Sequence, residues 1–369
     1  MAASQTFKAH KFVSEQDSEF YSVLRKRVRR YFEEGNISTF GDRRMYIKTA
    51  FMLAIYLVPF GFIVSGTITS PWLYLATYVF MGFGMAGMGL SVMHDAIHGA
   101  YSKHKWVNQL LGNAMNLIGG NSDVWRMQHN VLHHTYTNVL GMDDDINTPP
   151  ILRFSPHEKW MKAHKYQYLY VWFFYGISTF TRVTLRDPVQ VFWYWNNGLI
   201  KSKKEFAKIM ANLIFWKIFH FTYLLVLPIY FNSFSPWLTL GAYFLMHVVA
   251  GSIMSMIFQT AHVMPDLDHK KAREDRIIEE NWAVHEMKTT SNYAPNNKML
   301  TWYVGGLNFQ VEHHLFANIC HIHYPKIAPI VVQTAKEYNI KYHSQPSLAE
   351  AVKAHARGLY ELGNNPNKR

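Results

Sequence analysis

Residues 70–98 read SPWLYLATYVFMGFGMAGMGLSVMHDAIH. The stretch decides the fold, because it runs an apolar segment of membrane-spanning length straight into two histidines one helical turn apart. Ser70 before Pro71 has the chemistry of a helix N-cap followed by the first helical residue. Pro71 to His94 is 23 residues of rise. At 1.5 Å per residue that is about 35 Å, longer than the ~30 Å hydrocarbon core of a bilayer. His94 and His98 are therefore expected at the mouth of the span or just beyond it, on one helix face. Gly82-Phe83-Gly84-Met85-Ala86-Gly87 fits the spacing of a dinucleotide-binding loop. It lies inside an apolar run with no strand before it, so its glycines are read as small residues for close helix packing.

Working outward, residues 49–93 contain no Asp, Glu, Lys or Arg. They form two apolar runs, about 50–66 and 71–93, with a turn too short for a soluble excursion. A second hairpin is expected over about 215–230 and 236–262, where Ser235-Pro236-Trp237-Leu238 echoes Ser70-Pro71-Trp72-Leu73. Lys217, near one end, is expected to snorkel to the interface. His220 and His247 fall within these spans, where a polar residue is usually functional or paired; His247, about eleven residues into its helix, is read as hydrogen-bonded rather than ligating. Aromatic residues make up 16% of the chain and charged residues 17%, against a usual charged share of about 25%. The mean hydropathy of −0.10 means that a large polar part stands outside the membrane.

The charges set an orientation. Of 37 Lys and Arg, 10 precede residue 49, 13 lie between His94 and Met210, and 13 follow His262, while the turns at 67–70 and 231–235 have none. By the positive-inside rule both termini and the long middle loop are cytoplasmic. The net charge of +12 is thus read as topology, with the bilayer and not nucleic acid as partner. No apolar h-region occurs in residues 1–40, so no cleavable signal peptide is expected. The expected fold class is an all-α integral membrane protein, four transmembrane helices in two hairpins with a cytoplasmic helical cap. Residues 1–48 are a basic segment whose helix is expected to lie on an anionic leaflet, 49–335 the membrane domain, and 336–369 a cytoplasmic tail. Within the membrane domain, Tyr166–Phe180 is short for a span and fits an interfacial helix. In the tail, Ser347 and Glu350 read as a capping box, and residues 363–369 as frayed.

Histidine carries the chemistry. His94 and His98 are joined by His129-Asn130-Val131-Leu132-His133-His134 and by Gln310-Val311-Glu312-His313-His314. On an α-helix His129 and His133 share a face and His134 sits about 100° round. Neutral imidazole is a good ligand for Fe, Zn, Cu and Ni. Seven histidines exceed the four ligands of one tetrahedral zinc and suit two metals. Cys320 is the sole cysteine, which excludes an intrachain disulfide and leaves no thiolate cluster. His262 ends its span at the same side as the three clusters.

These three histidine boxes, with the two hairpins, resemble the membrane fatty acid desaturases over roughly residues 45–335. Gln310 in place of the first histidine of the third box, after Gly305-Gly306-Leu307-Asn308-Phe309, resembles the front-end desaturases, which act between an existing double bond and the carboxyl end. Many of those carry a fused cytochrome b5 domain with a His-Pro-Gly-Gly motif. That motif is absent here, and the chain is closer to unfused bacterial linoleoyl-CoA or phospholipid Δ6-desaturase-like proteins, in the inner membrane. One departure is Ala317, where many relatives have proline.

The resemblance implies a non-haem di-iron centre held by His94, His98, His129, His133, His134, His262, His313 and His314, with Gln310 as a weak ligand or a support. It implies O2 as co-substrate, a fatty acyl-CoA or phospholipid acyl chain as substrate, a cis double bond as product, and two electrons from cytochrome b5 or ferredoxin. Asp95, Glu312, Asn138, Asp143, Asp144 and Asp145 are candidates to accept ring N–H bonds and fix tautomers. No Glu-x-x-His pair occurs, which separates the chain from soluble di-iron bundles. Hydroxylation on the same site is an alternative outcome. A metal-transporting or metal-storing protein is disfavoured, because that would call for polar groups spread along the spans.

Overall fold

The computed structural model describes residues 7–14 and 18–365. Apart from three short pairs of parallel strands, the regular elements among these residues are helices. Four are long and apolar enough to cross a membrane: Arg43–Val64, Pro71–Ile97, Lys203–Phe231 and Pro236–His262. Ser70 and Ser235 cap the second and fourth, accepting from the backbone N–H of Leu73 and Trp237.

The expected limits change in three places. The first span begins at Arg43 rather than near residue 50, and so contains Lys48. The second span continues as helix through Ile97, with Met88–Met93 wound as π-helix. The third begins at Lys203 rather than near residue 215. Its early lysines interrupt the apolar run but not the helix, because lysine is a good helix former and Ser202 caps Glu205 at 3.1 Å. Lys217 does not snorkel. Its ammonium donates to Asp187 at 2.8 Å and to the Gly119 carbonyl at 2.6 Å, so a buried partner replaces water.

The glycines of the second span do serve close packing. A Cβ on Gly82 would lie 2.7 Å from the Met246 carbonyl, and one on Gly84 2.9 Å from the Tyr56 nitrogen. The interior of the bundle is rich in methionine and tyrosine, including Met52, Met81, Met246, Tyr56 and Tyr74. The buried hydroxyls are paired: Tyr56 with Tyr223 at 2.6 Å and Tyr74 with Thr239 at 3.0 Å. In an apolar medium such bonds tie helices together where hydrophobic force between them is weak.

A helix over Gln167–Thr181 lies directly against the fourth span, where a Cβ on Gly251 would meet the Gly176 carbonyl at 2.5 Å. In the N-terminal helix, Ser18–Glu34, the basic side chains of Arg25, Lys26, Arg29 and Arg30 are exposed. Its apolar stripe of Phe20, Leu24, Val28 and Phe32 is buried against Met287, Val311, Leu315 and Val331. That stripe is spent on protein and is not free for a lipid leaflet.

The strand pairs bind distant segments of the cap. Val139–Leu140 pairs with Lys270–Lys271, Lys11–Phe12 with Ile277–Ile278, and Ser291–Tyr293 with His343–Gln345. The last helix, Leu348–Asn364, starts at Ser347, whose hydroxyl accepts from the Glu350 N–H at 3.1 Å. Gly363 is buried in this helix beside the His164 carbonyl, so the expected fraying does not reach 363–364. Residues 366–369 lie outside the described residues.

Candidate metal centre

The second and fourth spans deliver His94 and His262 to one end of the bundle, and the cap supplies the rest. Box two opens on the helix Ser122–Arg126, capped by the Asn121 side chain, and continues as a π-helix over Met127–His133. The winding corrects one expectation. In a π-helix bonds run i to i+5, and the His134 N–H donates to the His129 carbonyl at 3.0 Å. His134 is thereby turned back towards His129, where a regular α-helix would put it about 140° round, and their Nε2 atoms lie 3.2 Å apart. Box three is the short helix Gln310–Leu315. Adjacent residues diverge by about 100° on a helix, so His313 and His314 face different neighbours.

The structure brings all eight predicted histidines together. One group is His94, His98, His129 and His313; a second is His133, His262 and His314; His134 meets His313 and His314. Within each group the ligand atoms lie within 4.8 Å of one another. His94 and His129 approach at 2.8 Å between Nε2 atoms. The Nε2 atoms of His98, His133, His262, His313 and His314 are buried with no hydrogen-bond partner among the described residues. Unpaired buried nitrogens cost free energy, and lone pairs aimed at one another have no proton to share. A cation between them resolves both problems, so the donor set fits a metal.

The opposite nitrogen of several rings is occupied by protein. His133 Nδ1 donates to Asp143 at 3.1 Å, His262 Nδ1 to the Thr289 carbonyl at 3.2 Å, and His314 Nδ1 to Glu286 at 2.7 Å. His313 Nδ1 lies 3.3 Å from the Tyr324 hydroxyl. Such partners fix the tautomer with Nε2 as the bare donor. Burial holds His98, His134, His313 and His314 well below the ordinary imidazole pKa, and brings His129 down to about 4. These rings are neutral at neutral pH, the form that binds metal. At His133 burial works the same way, but Asp143 and Asp145 outweigh it and raise the ring to about 9, so metal binding at its Nε2 displaces a proton.

The predicted supporting residues divide. Asp143 takes the role expected of it, and Asp145 lies 3.6 Å from His133 Nδ1 and 4.0 Å from His129 Nδ1. Asp95 accepts a ring N–H, but from His321 at 2.8 Å rather than from a box histidine. Glu312 accepts from Asn292 at 2.7 Å and Tyr342 at 2.9 Å, because on its helix it faces away from its two histidine neighbours. Asp144 accepts from Tyr194 at 2.9 Å and from Gln190. Asn138 donates to the His262 carbonyl at 2.8 Å, holding main chain and not a ring. Gln310 is buried with its Nε2 unpaired among the described residues.

Glu286 was not foreseen. It lies on the helix Trp282–Thr289, is fully buried, and accepts from Thr137 at 2.9 Å as well as from His314. Burial pushes it up to about 8. The available signal was a carboxylate set among Ala283, Val284 and Met287, an apolar pattern in which an acid needs a partner.

A cavity opens beside His133 and His262. Trp125, Met254 and Phe258 form apolar wall, and Gln128, Arg182 and Arg186 line its polar part.

Four spans carrying an all-histidine cluster at one end define a membrane protein with a histidine-rich site that could hold a metal. The match to known proteins agrees with that geometry. The model of the fatty acid desaturase family matches residues 69–346. The chain is 34% identical to an sn-1 linoleoyl-lipid 6-desaturase of Arthrospira platensis, over 94% of this chain and 93% of that one. It is 32% identical to the sn-1 linoleoyl-lipid 6-desaturase of Synechocystis sp., over 93% and 95%. An acyl-lipid (8-3)-desaturase of Physcomitrium patens is 31% identical, over 95% of this chain and 73% of that one. The chain belongs to the fatty acid desaturase family and is an oxidoreductase.

Proposed function

We propose that this protein is a front-end desaturase of lipid acyl chains, placing a cis double bond on the carboxyl side of one already present. The observation that carries the reading is the convergence of eight imidazoles, seven of them buried, with five Nε2 atoms that have no hydrogen-bond partner among the described residues. Relatives named as linoleoyl-lipid 6-desaturases support the regiochemistry, as does Gln310 at the head of box three.

Two iron ions would be held there, one by His94, His98, His129 and His313, the other by His133, His262 and His314, with His134 beside both. Bound iron supplies, with O2, an oxidant able to take hydrogen from an unactivated methylene, which no side-chain acid or base can do. The balance is R–CH2–CH2–R′ + O2 + 2 e⁻ + 2 H⁺ → R–CH=CH–R′ + 2 H2O. The balance calls for two electrons per turnover, which a cytochrome b5 or a ferredoxin would supply.

The protein's own residues do the positioning. Asp143, Glu286 and the Thr289 carbonyl hold three rings in one tautomer and one orientation. Trp125 and Phe258 narrow the approach beside His133 and His262, excluding water and giving an alkyl chain an apolar surface. Arg182 and Arg186 offer cationic groups in the same cavity for the polar end of the substrate. By the distribution of Lys and Arg, the centre and both termini face the cytoplasm, and a bacterial inner membrane is the proposed location.

The test is metal analysis of the purified protein joined to product analysis with a donor, O2 and a linoleoyl lipid. Two irons per chain and a new double bond between the old one and the carboxyl end are expected. An oxygenated chain as main product would mean hydroxylation. Efficient use of a saturated chain with neglect of linoleate would overturn the front-end assignment alone.

A further inference from the structure

A second buried cluster sits beside box one, and the geometry points to it as the device that aims His94 and His98. Asp95, between those two histidines, is 2% exposed, and so is His321. One oxygen of Asp95 accepts both from His321 Nδ1 at 2.8 Å and from the His321 backbone N–H at 3.2 Å. On the far side of the ring, the Lys48 ammonium donates to His321 Nε2 at 2.7 Å. Lys48 is also 2% exposed, although it belongs to the first span. A lone charge buried at either end is costly, and removing one partner of a buried pair costs more than the pair contributes. Here a neutral ring conducts the pairing: cation, donor–acceptor imidazole, anion.

Asp95, Cys320 and His321 also have the spacing of a metal site. Lys48 argues against one, because its ammonium already occupies the outer nitrogen of His321 and supplies the positive charge. The seat of the ring is tight: a Cβ on Gly306 would lie 2.8 Å from His321 Cβ. The same segment continues to Tyr324, whose hydroxyl lies 3.3 Å from His313 Nδ1. Residues 320–324 thus touch box one through Asp95, box three through Tyr324 and the first span through Lys48. The relay fixes the rotation of the last turn of the second span, and with it the direction of two imidazoles that belong to the proposed centre. Lys48, His321 and Asp95 are positioning residues and touch no reacting atom.

The inference rests on the cluster being a metal centre, and its test separates the two ideas. The full chain in detergent is stripped of metal and titrated with Co²⁺, whose visible absorption reports ligand geometry, alongside circular dichroism and gel filtration. Wild type is expected to bind two Co²⁺ per chain. His321→Gln keeps a donor for Asp95 and an acceptor for Lys48, and should stay within about threefold of wild type. His321→Leu keeps the bulk but breaks the relay, and should bind Co²⁺ about 10–100-fold more weakly, the usual range for losing a support of metal ligands, with an altered spectrum. Equal affinity and spectrum in the two variants overturns the proposal, as does a third Co²⁺ lost only in His321→Leu. Should His321→Leu not fold, the charge pair decides: Lys48→Met/Asp95→Asn should bind more tightly than Lys48→Met alone, and equal or weaker binding refutes the relay. Wild type binding no Co²⁺ sinks the metal centre and this inference together.

Discussion

Two sets of buried histidines stand a short way apart in this molecule, and they have opposite fates. Within the spans, His220 has both nitrogens occupied, Nδ1 against the Leu117 carbonyl at 3.1 Å and Nε2 against the Tyr243 hydroxyl at 3.0 Å. His247 is tied through Nδ1 to Thr179 at 3.1 Å. Its free Nε2 has one imidazole for a near neighbour, His220, with ring centres 5.8 Å apart. At the end of the bundle each ring has several imidazole neighbours, with ring centres 4.4 Å apart for His134 and His314. Apart from half-buried His98, burial is the same in both sets. What differs is the number of rings around the second nitrogen: that of His220 makes a hydrogen bond and that of His247 has a single imidazole near it, whereas at the end of the bundle three or four imidazole nitrogens meet.

The sharpest break in this comparison comes from deleting rings. Replacing His98, His133, His134 or His314 by Ala should abolish product formation and lower iron below two per chain, while the protein stays in the membrane, because the spans carry most of the stability. Full desaturation by His133→Ala would end the di-iron reading.

Removing a partner instead of a ring should be milder. Glu286→Gln and Asp143→Asn should each weaken metal binding by about 10–100-fold, with activity restored in part by excess iron. Unchanged affinity in both would mean that these carboxylates are bystanders.

In the other set, His220→Phe should leave metal content unchanged. It strands the Tyr243 hydroxyl, while the Leu117 carbonyl keeps its bond from the Tyr223 hydroxyl at 2.7 Å, and should destabilise the protein by roughly 1–3 kcal/mol in thermal or denaturant unfolding. Loss of iron from this variant would erase the distinction between the two sets.

The smallest effect concerns a third kind of histidine, His285, whose ring bonds Glu280 and the Thr137 carbonyl. Burial opposes ionisation of Glu280, yet hydrogen bonds from His285, Lys270 and Lys288 hold its pKa well below the usual glutamate value. Its contribution is therefore present above the unfolded pKa of about 4.3 and is lost as pH falls below it. Glu280→Gln should lower stability slightly at neutral pH and flatten the acid limb of the stability curve; an unchanged acid limb would contradict the pairing.

Much of this protein is local and could be read from its residues. Apolar runs and serine–proline caps place four helices, and rise per residue places His94 and His262 at their ends. Box spacing selects seven of the eight histidines, and the resemblance, together with its place at the end of a span, adds His262. Periodicity and length carry such information because each depends on near neighbours in the chain.

The supporting carboxylates were another matter. Asp143 was legible, ten residues from His133. Glu286 is 149 residues from Thr137, and His321 is 226 from Asp95, so nothing local marks either partnership. Glu312 and Asp144 were adjacent to the right residues and pointed elsewhere. The sequence by itself determined that there are four spans and picked out the eight histidines that collect at one end of the bundle. Only the tertiary structure decided which acid faces which ring, that π-winding turns His134 back towards His129, and that Lys48 is balanced through His321 rather than by water. Helix geometry follows from bonds between neighbours, whereas a buried polar group takes whichever partner the packing of distant segments brings within about 3 Å.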